Sequence, residues 1–121
     1  MNVRTSKDNR EIVAQLTRKL GLGSENHIAR IALAYSLEKG DKLNLTNILD
    51  SGGKEYSKSV FFGDNYEVYV GLVCLKYNLH SSDVDIPKYL KMHVDDGLES
   101  LNSQFVNGEL ENVFSLISPI E

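Results

Sequence analysis

Apolar residues recur at helical spacing in five separate stretches of this chain, and this periodicity predicts a mainly α-helical fold. The first stretch follows Ser6, a residue type that caps helix N-termini, and stops at Gly21, which suits a helix C-terminus. The second stretch follows Ser24 and stops at Gly40. Because so few residues separate the two stretches, we expect a tight helical hairpin or a helix-turn-helix.

The remaining periodic stretches predict two further long helices and a short one. A helix is expected from Asp64 to Tyr77, and its broad apolar coverage predicts a buried, central position. Pro87 fits the first turn of the next long helix, where a missing N–H costs nothing. The tail of residues 102–121 has apolar residues at helical spacing, which predicts a short docked helix: Leu110, Val113, Phe114 and Ile117. The predicted fold is mainly α, a compact bundle of four to five helices.

Residues 42–62 break the helical pattern. Leu43 and Leu45 alternate with polar residues, residues 51–53 read Ser-Gly-Gly and signal a turn, and the aromatic pair Phe61-Phe62 follows. We expect a loop with extended segments here, with a small hairpin, and the aromatic pair in the core or at an interface.

Length and composition fit one soluble domain over residues 1–121. A chain of 121 residues, 41% of them hydrophobic and 25% charged, can bury one core but is too short for separate cofactor and substrate domains. The single Cys74 excludes an intrachain disulfide, and no secretory signal follows Met1. The central uncharged run, residues 68–75, is far shorter than the roughly 20 residues of a membrane span. We expect a cytoplasmic protein with no membrane contact.

Charge is unevenly distributed along the chain. Residues 1–60 carry ten Lys and Arg against seven Asp and Glu, whereas residues 61–121 carry three against ten. The formal net charge of −4 therefore conceals a basic N-terminal half, and a defined basic patch attracts nucleic-acid phosphates in a salt-dependent way. The candidate phosphate-contacting residues are Lys7, Arg10, Arg18, Lys19 and Arg30. A solvated helix face without a partner is the alternative that these residues leave open.

No catalytic, cofactor or metal motif is visible in the sequence. His27, His80 and His93 are far apart, and one cysteine cannot supply a Cys-x-x-Cys pair. Cys74 lies in the most apolar predicted helix, where we expect a buried, unreactive thiol. No glycine-rich phosphate-binding loop is present, so the sequence predicts no nucleotide or other cofactor and no metal.

Several short segments resemble, in the same order, the DndE family of DNA sulfur-modification proteins. They are Arg4-Thr5-Ser6, Leu20-Gly21-Leu22, Ile28-Ala29-Arg30-Ile31-Ala32, Ser36-Leu37-Glu38-Lys39-Gly40, Phe61-Phe62-Gly63 and His93-Val94-Asp95-Asp96-Gly97-Leu98. The likeness spans roughly residues 4 to 101. Arg30 falls within a matching segment, whereas a family lysine falls at Thr17, next to Arg18 and Lys19.

The resemblance implies a small helical member of the DNA phosphorothioation system, a restriction-modification type of system in which sulfur replaces a non-bridging phosphate oxygen. It implies binding of double-stranded DNA, notably nicked duplex, through lysine and arginine side chains. It also implies self-association, often as a homotetramer, and cooperation with sulfur-mobilising and ATP-using proteins. The expected role is a non-enzymatic DNA-binding adaptor.

Three other functions remain open from the sequence. A metal-dependent DNA-nicking enzyme would place Asp95, Asp96 or other carboxylates around a divalent ion. A transcription regulator would use residues 6–40 as a helix-turn-helix. A protein scaffold would bind an acidic partner with the basic face. For self-association, the sequence predicts an interface at Phe61-Phe62 and the C-terminal helix.

Overall fold

The computed structural model describes residues 2–21 and 23–106, which form a mainly helical protein with one pair of short strands. In chain order the elements are strand β1 (Asn2–Arg4), helices α1 (Lys7–Leu20) and α2 (Glu25–Glu38), strand β2 (Glu55–Ser57), and helices α3 (Lys58–Phe62), α4 (Tyr66–Tyr77) and α5 (Ile86–Val106). Single 3₁₀ turns occupy Leu45–Asn47 and Gly63–Asn65. The predicted fold class is confirmed.

The first two helices begin and end at the residues that their sequences indicate. The Ser6 side chain accepts a hydrogen bond from the Asn9 N–H at the start of α1, and the Ser24 side chain accepts one from Asn26 at the start of α2. Gly21 ends α1 in the left-handed conformation, with a φ of 65° that glycine adopts without strain. These caps set the tight turn between α1 and α2.

Helices α2 and α5 form the centre of the molecule. Ile28, Ala29, Ala32 and Leu33 of α2 are fully buried, as are the aliphatic residues that α5 places on its apolar side. A Cβ atom on Gly97 of α5 would overlap the backbone carbonyl of Ala32, so glycine is required for this close approach. The aliphatic residues of α5 in this core are Ile86, Leu90, Val94, Leu98 and Leu101.

Helix α4 lies at the edge of the structure, and the prediction of a buried, central helix was wrong. Its buried residues are Val70 and Val73, whereas Val68, Leu72 and Leu75 are 59%, 45% and 83% exposed. The reason is that the longer helix α5 already fills the space beside α2. Only one side of α4 therefore packs on the core, and its other apolar side faces outward.

Strand β2 pairs with the N-terminal strand rather than within residues 42–62, so the local hairpin expected there is not formed. The strands are antiparallel, with Val3 opposite Tyr56 and Arg4 opposite Glu55. Val3 and Tyr56 face the core. A three-residue strand is too short to leave a readable alternation in sequence, which is why β1 was not predicted.

Phe61 and Phe62 belong to α3 and are completely buried. Their rings meet edge to face with centroids 4.6 Å apart, and Phe62 also packs against Tyr66 and Tyr69. The prediction that this pair forms a subunit interface is therefore wrong, because both side chains are part of the core of a single chain.

The predicted Ser51-Gly52-Gly53 turn packs against the start of α1. The Gly53 N–H donates to the Thr5 carbonyl at 3.0 Å, and the Lys54 N–H donates to the Thr5 hydroxyl at 3.0 Å. A Cβ on Gly53 would overlap the Ser6 carbonyl, so this close contact requires glycine. The turn thereby holds Lys54 beside the N-terminus of α1.

Helix α5 continues to Val106, past the end of the helix predicted from the sequence. The short docked helix predicted around Leu110 to Ile117 lies outside the described residues. None of the helices within the described ranges combines the length and apolarity that a bilayer crossing requires.

Candidate nucleic-acid interface

Helix α1 carries three of the predicted cations on one exposed side. Lys7 and Arg18 are separated by about three helical turns, which puts them on the same side of the helix roughly 16 Å apart. Arg10 lies one turn from Lys7 on that side, and all three are exposed. We call Lys7, Arg10 and Arg18 the α1 patch. Within the described residues, no carboxylate forms an ion pair with any of them.

Lys19 lies on a different side of α1, towards α5. Its ammonium nitrogen is 5.2 Å from the centroid of the Phe105 ring. Asp8, which is three turns earlier on the same side, acts electrostatically on Glu99 of α5. Lys19 is therefore exposed but sits on an edge with acidic neighbours, apart from the α1 patch.

Arg30 belongs to α2 and is half-buried. Its Nε–H donates to the Asn26 carbonyl at 3.4 Å, so part of its guanidinium serves the first turn of its own helix. The five predicted residues thus do not form one continuous group. The structure brings Lys7, Arg10 and Arg18 together and places Lys19 and Arg30 elsewhere.

Thr17, the position at which a family lysine was expected, lies on the core side of α1. Thr17 is buried, and its hydroxyl donates to the Val13 carbonyl at 2.7 Å. A lysine at this position would have to direct its charge out of the core. Arg18, one residue along, is exposed without any such rearrangement.

The N-terminus of α1 is not available to bind a phosphate through its backbone. The Ser6 N–H donates to Asp95 Oδ1 at 3.0 Å, and the Lys7 N–H donates to Asp50 Oδ2 at 2.9 Å. Hydrogen bonds from the N–H groups of Gly52 and Lys7 hold the pKa of the Asp50 carboxyl below its ordinary value. Two carboxylates therefore occupy the place that an anion would take at a helix N-terminus, and α1 has only side chains to offer a phosphate.

Asp95 is fully engaged in holding elements together. Its Oδ1 accepts from Ser6 N–H and from Asn9 Nδ2 at 2.9 Å, and its Oδ2 forms a buried ion pair with Lys91 at 2.6 Å. It thus fastens α1 to α5. Burial of this ion pair means that loss of one partner would leave an uncompensated charge.

Asp96 and His93 form a second network. Asp96 Oδ2 accepts from the Ser36 hydroxyl at 2.7 Å and pairs with Lys39 at 2.9 Å. The Ser36 oxygen is also 2.8 Å from His93 Nδ1, and Tyr77 OH is 2.7 Å from His93 Nε2. Because the single Ser36 proton goes to the carboxylate, His93 Nδ1–H must donate to Ser36, and Nε2 accepts from Tyr77.

Burial is the main cause of a low pKa at His93. The ring is completely buried, and desolvation lowers its pKa from 6.5 to about 4, with Lys76 adding to the effect. The imidazole is therefore neutral at physiological pH. Burial also raises the pKa of Tyr77, which accepts the Leu43 N–H at 2.8 Å. The network ties Leu43 to α2, α4 and α5.

These contacts give structural roles to the segment 93–98 that carries part of the family resemblance. No group of three or more His, Cys, Asp and Glu side chains in residues 2–21 and 23–106 is arranged to hold a metal ion. Asp95 and Asp96 instead bind backbone, amide, hydroxyl and lysine donors. Cys74 is partly rather than completely buried and packs beside the core.

A cavity of about 270 Å³ lies between the loop of residues 42–49 and α5. Asp95, Asp96 and Glu99 contribute negative charge to its wall, with Lys42 opposite. Burial, followed by the charges of Asp95 and Asp96, raises the pKa of Glu99. Because Asp95 and Asp96 are already paired with Lys91 and Lys39, the cavity has no surplus of cations to offer a phosphate.

Sequence reasoning missed the outward face of the β1/β2 pair. Arg4 and Glu55 lie opposite each other on this face, and their side chains form an ion pair at 2.6 Å. Lys54 precedes Glu55, and Lys58 follows the strand, with its ammonium 4.1 Å from the centroid of Tyr66. No local signal identified this face, because β1 is only three residues long and its partner strand is distant in sequence.

The described residues form a small helical protein with a basic side on α1 and an exposed outward face on the β1/β2 pair. Its Asp95 and Asp96 carboxylates stabilise the packing of the helices. The family model "DNA sulphur modification protein DndE" matches residues 2–107, which is most of the chain. The chain therefore belongs to the DndE family.

A solved structure supports the same fold. The chain is similar to the crystal structure of DndE from Escherichia coli B7A, described as involved in DNA phosphorothioation modification. The TM-score is 0.67 at 19% identity, and the match covers 83% of this chain and 95% of that chain. Identity this low shows a shared fold and does not transfer residue roles. A search of curated proteins finds no match.

Proposed function

We propose that this protein is a non-enzymatic DNA-binding component of the DNA phosphorothioation system, acting in the cytoplasm on duplex DNA and preferentially on nicked duplex. The observation that carries the proposal is the α1 patch, in which three exposed cations lack ion-pair partners among the described residues. Membership of the DndE family supplies the process, DNA sulphur modification. The expected partners are DNA and other proteins of that system.

The α1 patch suits the DNA backbone better than it suits base edges. Lys7 and Arg18 are roughly 16 Å apart, and a helix side of this length can follow several phosphates. Glu11 lies on the same side and offsets part of the charge. One copy of the patch would therefore bind weakly and lose affinity steeply as salt increases.

A preference for nicked duplex follows from contacts of this kind. A nick makes the duplex easier to bend, so a surface that binds several phosphates can deform it at lower cost than intact DNA. Such a preference needs no base reading by α1. It suits an adaptor that holds DNA while partner proteins perform the chemistry.

Self-association would multiply the weak contacts of one patch. Several patches in a closed assembly act at a high effective concentration, which raises affinity without any new kind of contact. A symmetric tetramer would present four copies of Lys7, Arg10 and Arg18 to one DNA duplex.

The exposed side of α4 is the surface that we assign to one two-fold contact of this self-association, with a second copy of the chain as its occupant. Val68, Leu72 and Leu75 recur at helical spacing on this side, and Gly71 between them leaves open space for a close approach. In an antiparallel pairing of two such helices, Glu67 of one copy reaches the level of Lys76 of the other. That pairing places opposite charges at each end of an apolar contact.

Fluorescence anisotropy with labelled duplexes tests the DNA-binding proposal. Intact, nicked and single-stranded DNA would be titrated at two salt concentrations with the wild-type protein and with the double variant Arg10→Ala, Arg18→Ala. The matched control is Lys42→Ala, Lys88→Ala, which removes the same charge from the loop of residues 42–49 and from α5. We expect salt-sensitive binding that favours nicked duplex, weakened uniformly across sequences and with a shallower salt slope in the α1 variant alone.

Two results would contradict the proposal. If the protein binds no duplex even at low salt, the α1 patch is a solvated surface or a docking site for an acidic protein. If both double variants lower the salt slope equally, binding depends on overall charge rather than on α1.

A further inference from the structure

The two strands form a ribbon with one polar face and one apolar face. Asn2 and Arg4 of β1 and Glu55 and Ser57 of β2 are exposed, whereas Val3 and Tyr56 are buried. The register sets Asn2 opposite Ser57 and Arg4 opposite Glu55. Four polar side chains therefore stand together on the outward face.

The buried side of the ribbon fixes the position of this face. Val3 is completely buried, and the Tyr56 ring packs on Phe61 with centroids 5.4 Å apart. The chain after β1 is fastened by the hydrogen bond from Thr5 N–H to the Lys54 carbonyl at 2.9 Å. The outward side chains thus stand on a rigid support, as a surface that reads shape and hydrogen bonds requires.

A two-stranded antiparallel ribbon is one of the structures that the DNA major groove admits. The groove is about 12 Å wide, whereas paired strands lie about 5 Å apart, which leaves room for side chains on the outward face. Proteins that read DNA in this way use outward residues on alternate positions of both strands.

The outward pair Arg4 and Glu55 matches one base pair in this groove. Guanine presents the O6 and N7 acceptors that an arginine fork binds, and cytosine presents an N4 donor that a carboxylate accepts. Arg4 and Glu55 are directly opposite each other across the ribbon. In the protein without DNA, the hydrogen bond and charge of Arg4 lower the pKa of the Glu55 carboxyl.

The ion pair between Arg4 and Glu55 would not prevent this contact. Both side chains are about half exposed, and an exposed ion pair contributes little to stability. Arg4 can therefore leave Glu55 and bind a guanine edge with little loss of free energy. Lys58 follows β2 and Lys7 lies beside Gly52, so cations flank the ribbon, whereas Lys54 before β2 forms an ion pair with Glu25 at 3.9 Å.

We infer that the outward face of the β1/β2 ribbon enters the major groove of duplex DNA and that Arg4 and Glu55 recognise a G·C base pair. The inference rests on the proposed function, because it requires that the protein binds DNA. It assigns base recognition to the ribbon and phosphate contact to the α1 patch. In protein–DNA complexes, phosphate contacts position the protein and base contacts specify the sequence.

Selection from a pool of random duplexes, followed by binding to the selected sequence, tests this inference with the full-length protein. We expect the pool to be enriched for a short motif that contains at least one G·C pair. Replacement of the guanine by 7-deazaguanine removes the N7 acceptor and should weaken binding of the wild-type protein. An arginine–guanine contact corresponds to a roughly five- to 150-fold preference.

The variants Arg4→Gln and Glu55→Gln should reduce that preference, and Arg4→Gln should also abolish the effect of 7-deazaguanine. The matched control is Lys88→Ala, an exposed cation of α5 that leaves the preference intact. Circular dichroism checks that each variant is folded, which is expected because Arg4 and Glu55 are exposed.

The outcomes separate the two proposals. Binding without enrichment, or with equal affinity for the 7-deazaguanine duplex, would overturn the ribbon assignment and leave the α1 patch as the DNA-binding surface. Enrichment that survives Arg4→Gln would place base recognition on another element. Failure to bind any duplex at low salt would overturn the proposed function itself.

Discussion

Gly97 of α5 lies directly against the backbone carbonyl of Ala32 in α2, and no side chain separates the two helices there. Ala32 is itself completely buried, so neither helix can move aside without disturbing the core. This contact explains how the two central helices pack tightly enough to leave α4 at the periphery.

We therefore expect Gly97→Ala to destabilise the protein. The added methyl group would overlap backbone rather than a flexible side chain, and overpacking of this kind costs about 1–3 kcal/mol. Urea unfolding measures the change in the free energy of unfolding. Ser103→Ala on the same helix is the control, because Ser103 is exposed, and it should be neutral or slightly stabilising. Equal effects of the two variants would contradict the close contact.

The buried His93 should make stability depend on pH. Its pKa is lowered to about 4 in the folded protein from 6.5, so between these values the unfolded chain binds more protons than the folded one. The stabilising contribution is complete above pH 6.5 and is lost as the pH falls towards 4, by up to roughly 3 kcal/mol. Urea unfolding at several pH values would show this loss.

The variant His93→Gln isolates that effect from the titration of carboxylates. It should be less stable than the wild type at neutral pH, but its stability should change less between pH 6.5 and 4. His27→Gln is the control, since His27 is exposed. The assignment would be wrong if His93→Gln kept the full pH dependence of the wild-type protein.

Removal of the Asp95 side chain should unfold the protein or greatly lower its free energy of unfolding. Asp95→Ala would leave Lys91 buried without its partner and the Ser6 N–H without an acceptor, which costs about 3–5 kcal/mol. Asp85→Ala removes an exposed carboxylate paired with Lys88, and it should cost at most about 1 kcal/mol. Thermal melting compares the two.

The same two variants address a nicking enzyme that uses these carboxylates. A catalytic Asp95 would instead give a stable but inactive variant in a plasmid-relaxation assay with divalent metal. A folded Asp95→Ala protein with lost metal-dependent relaxation would therefore contradict the structural role assigned here.

Local signals were sufficient to predict the helices but not their arrangement. Ser6, Gly21 and Ser24 act within one turn of their own helix, so their positions in the sequence already indicate where α1 and α2 begin and end. The all-round apolar pattern of α4 was misleading, because periodicity reports that a surface is apolar without reporting what covers it. The partner of β2 depends on residues about fifty positions away, which no local pattern contains.

In the candidate site too, local sequence patterns indicated some features, and others depend on tertiary contacts. Helical periodicity indicated that Lys7, Arg10, Arg18 and Lys19 lie on the polar part of α1, but it did not separate Lys19 from the other three. The partial burial of Arg30 and the opposition of Arg4 and Glu55 arise from tertiary contacts, so sequence reasoning could not locate them.

The apolar side of α4 provides the last prediction, which concerns self-association. The double variant Leu72→Asp, Leu75→Asp should lower the solution mass below that of the wild-type assembly, because it places charges in the proposed apolar contact. It should remain folded, since both side chains are already largely exposed in one chain. Size-exclusion chromatography with light scattering measures the mass.

Leu49→Asp is the matched control, because Leu49 is an exposed apolar residue outside α4 and is 41% accessible. This variant should keep the mass of the wild-type assembly. Weaker DNA binding by the α4 variant, with an intact α1 patch, would link assembly to affinity as multivalency requires. An assembly that survives both charges on α4 would place the subunit contact on another surface.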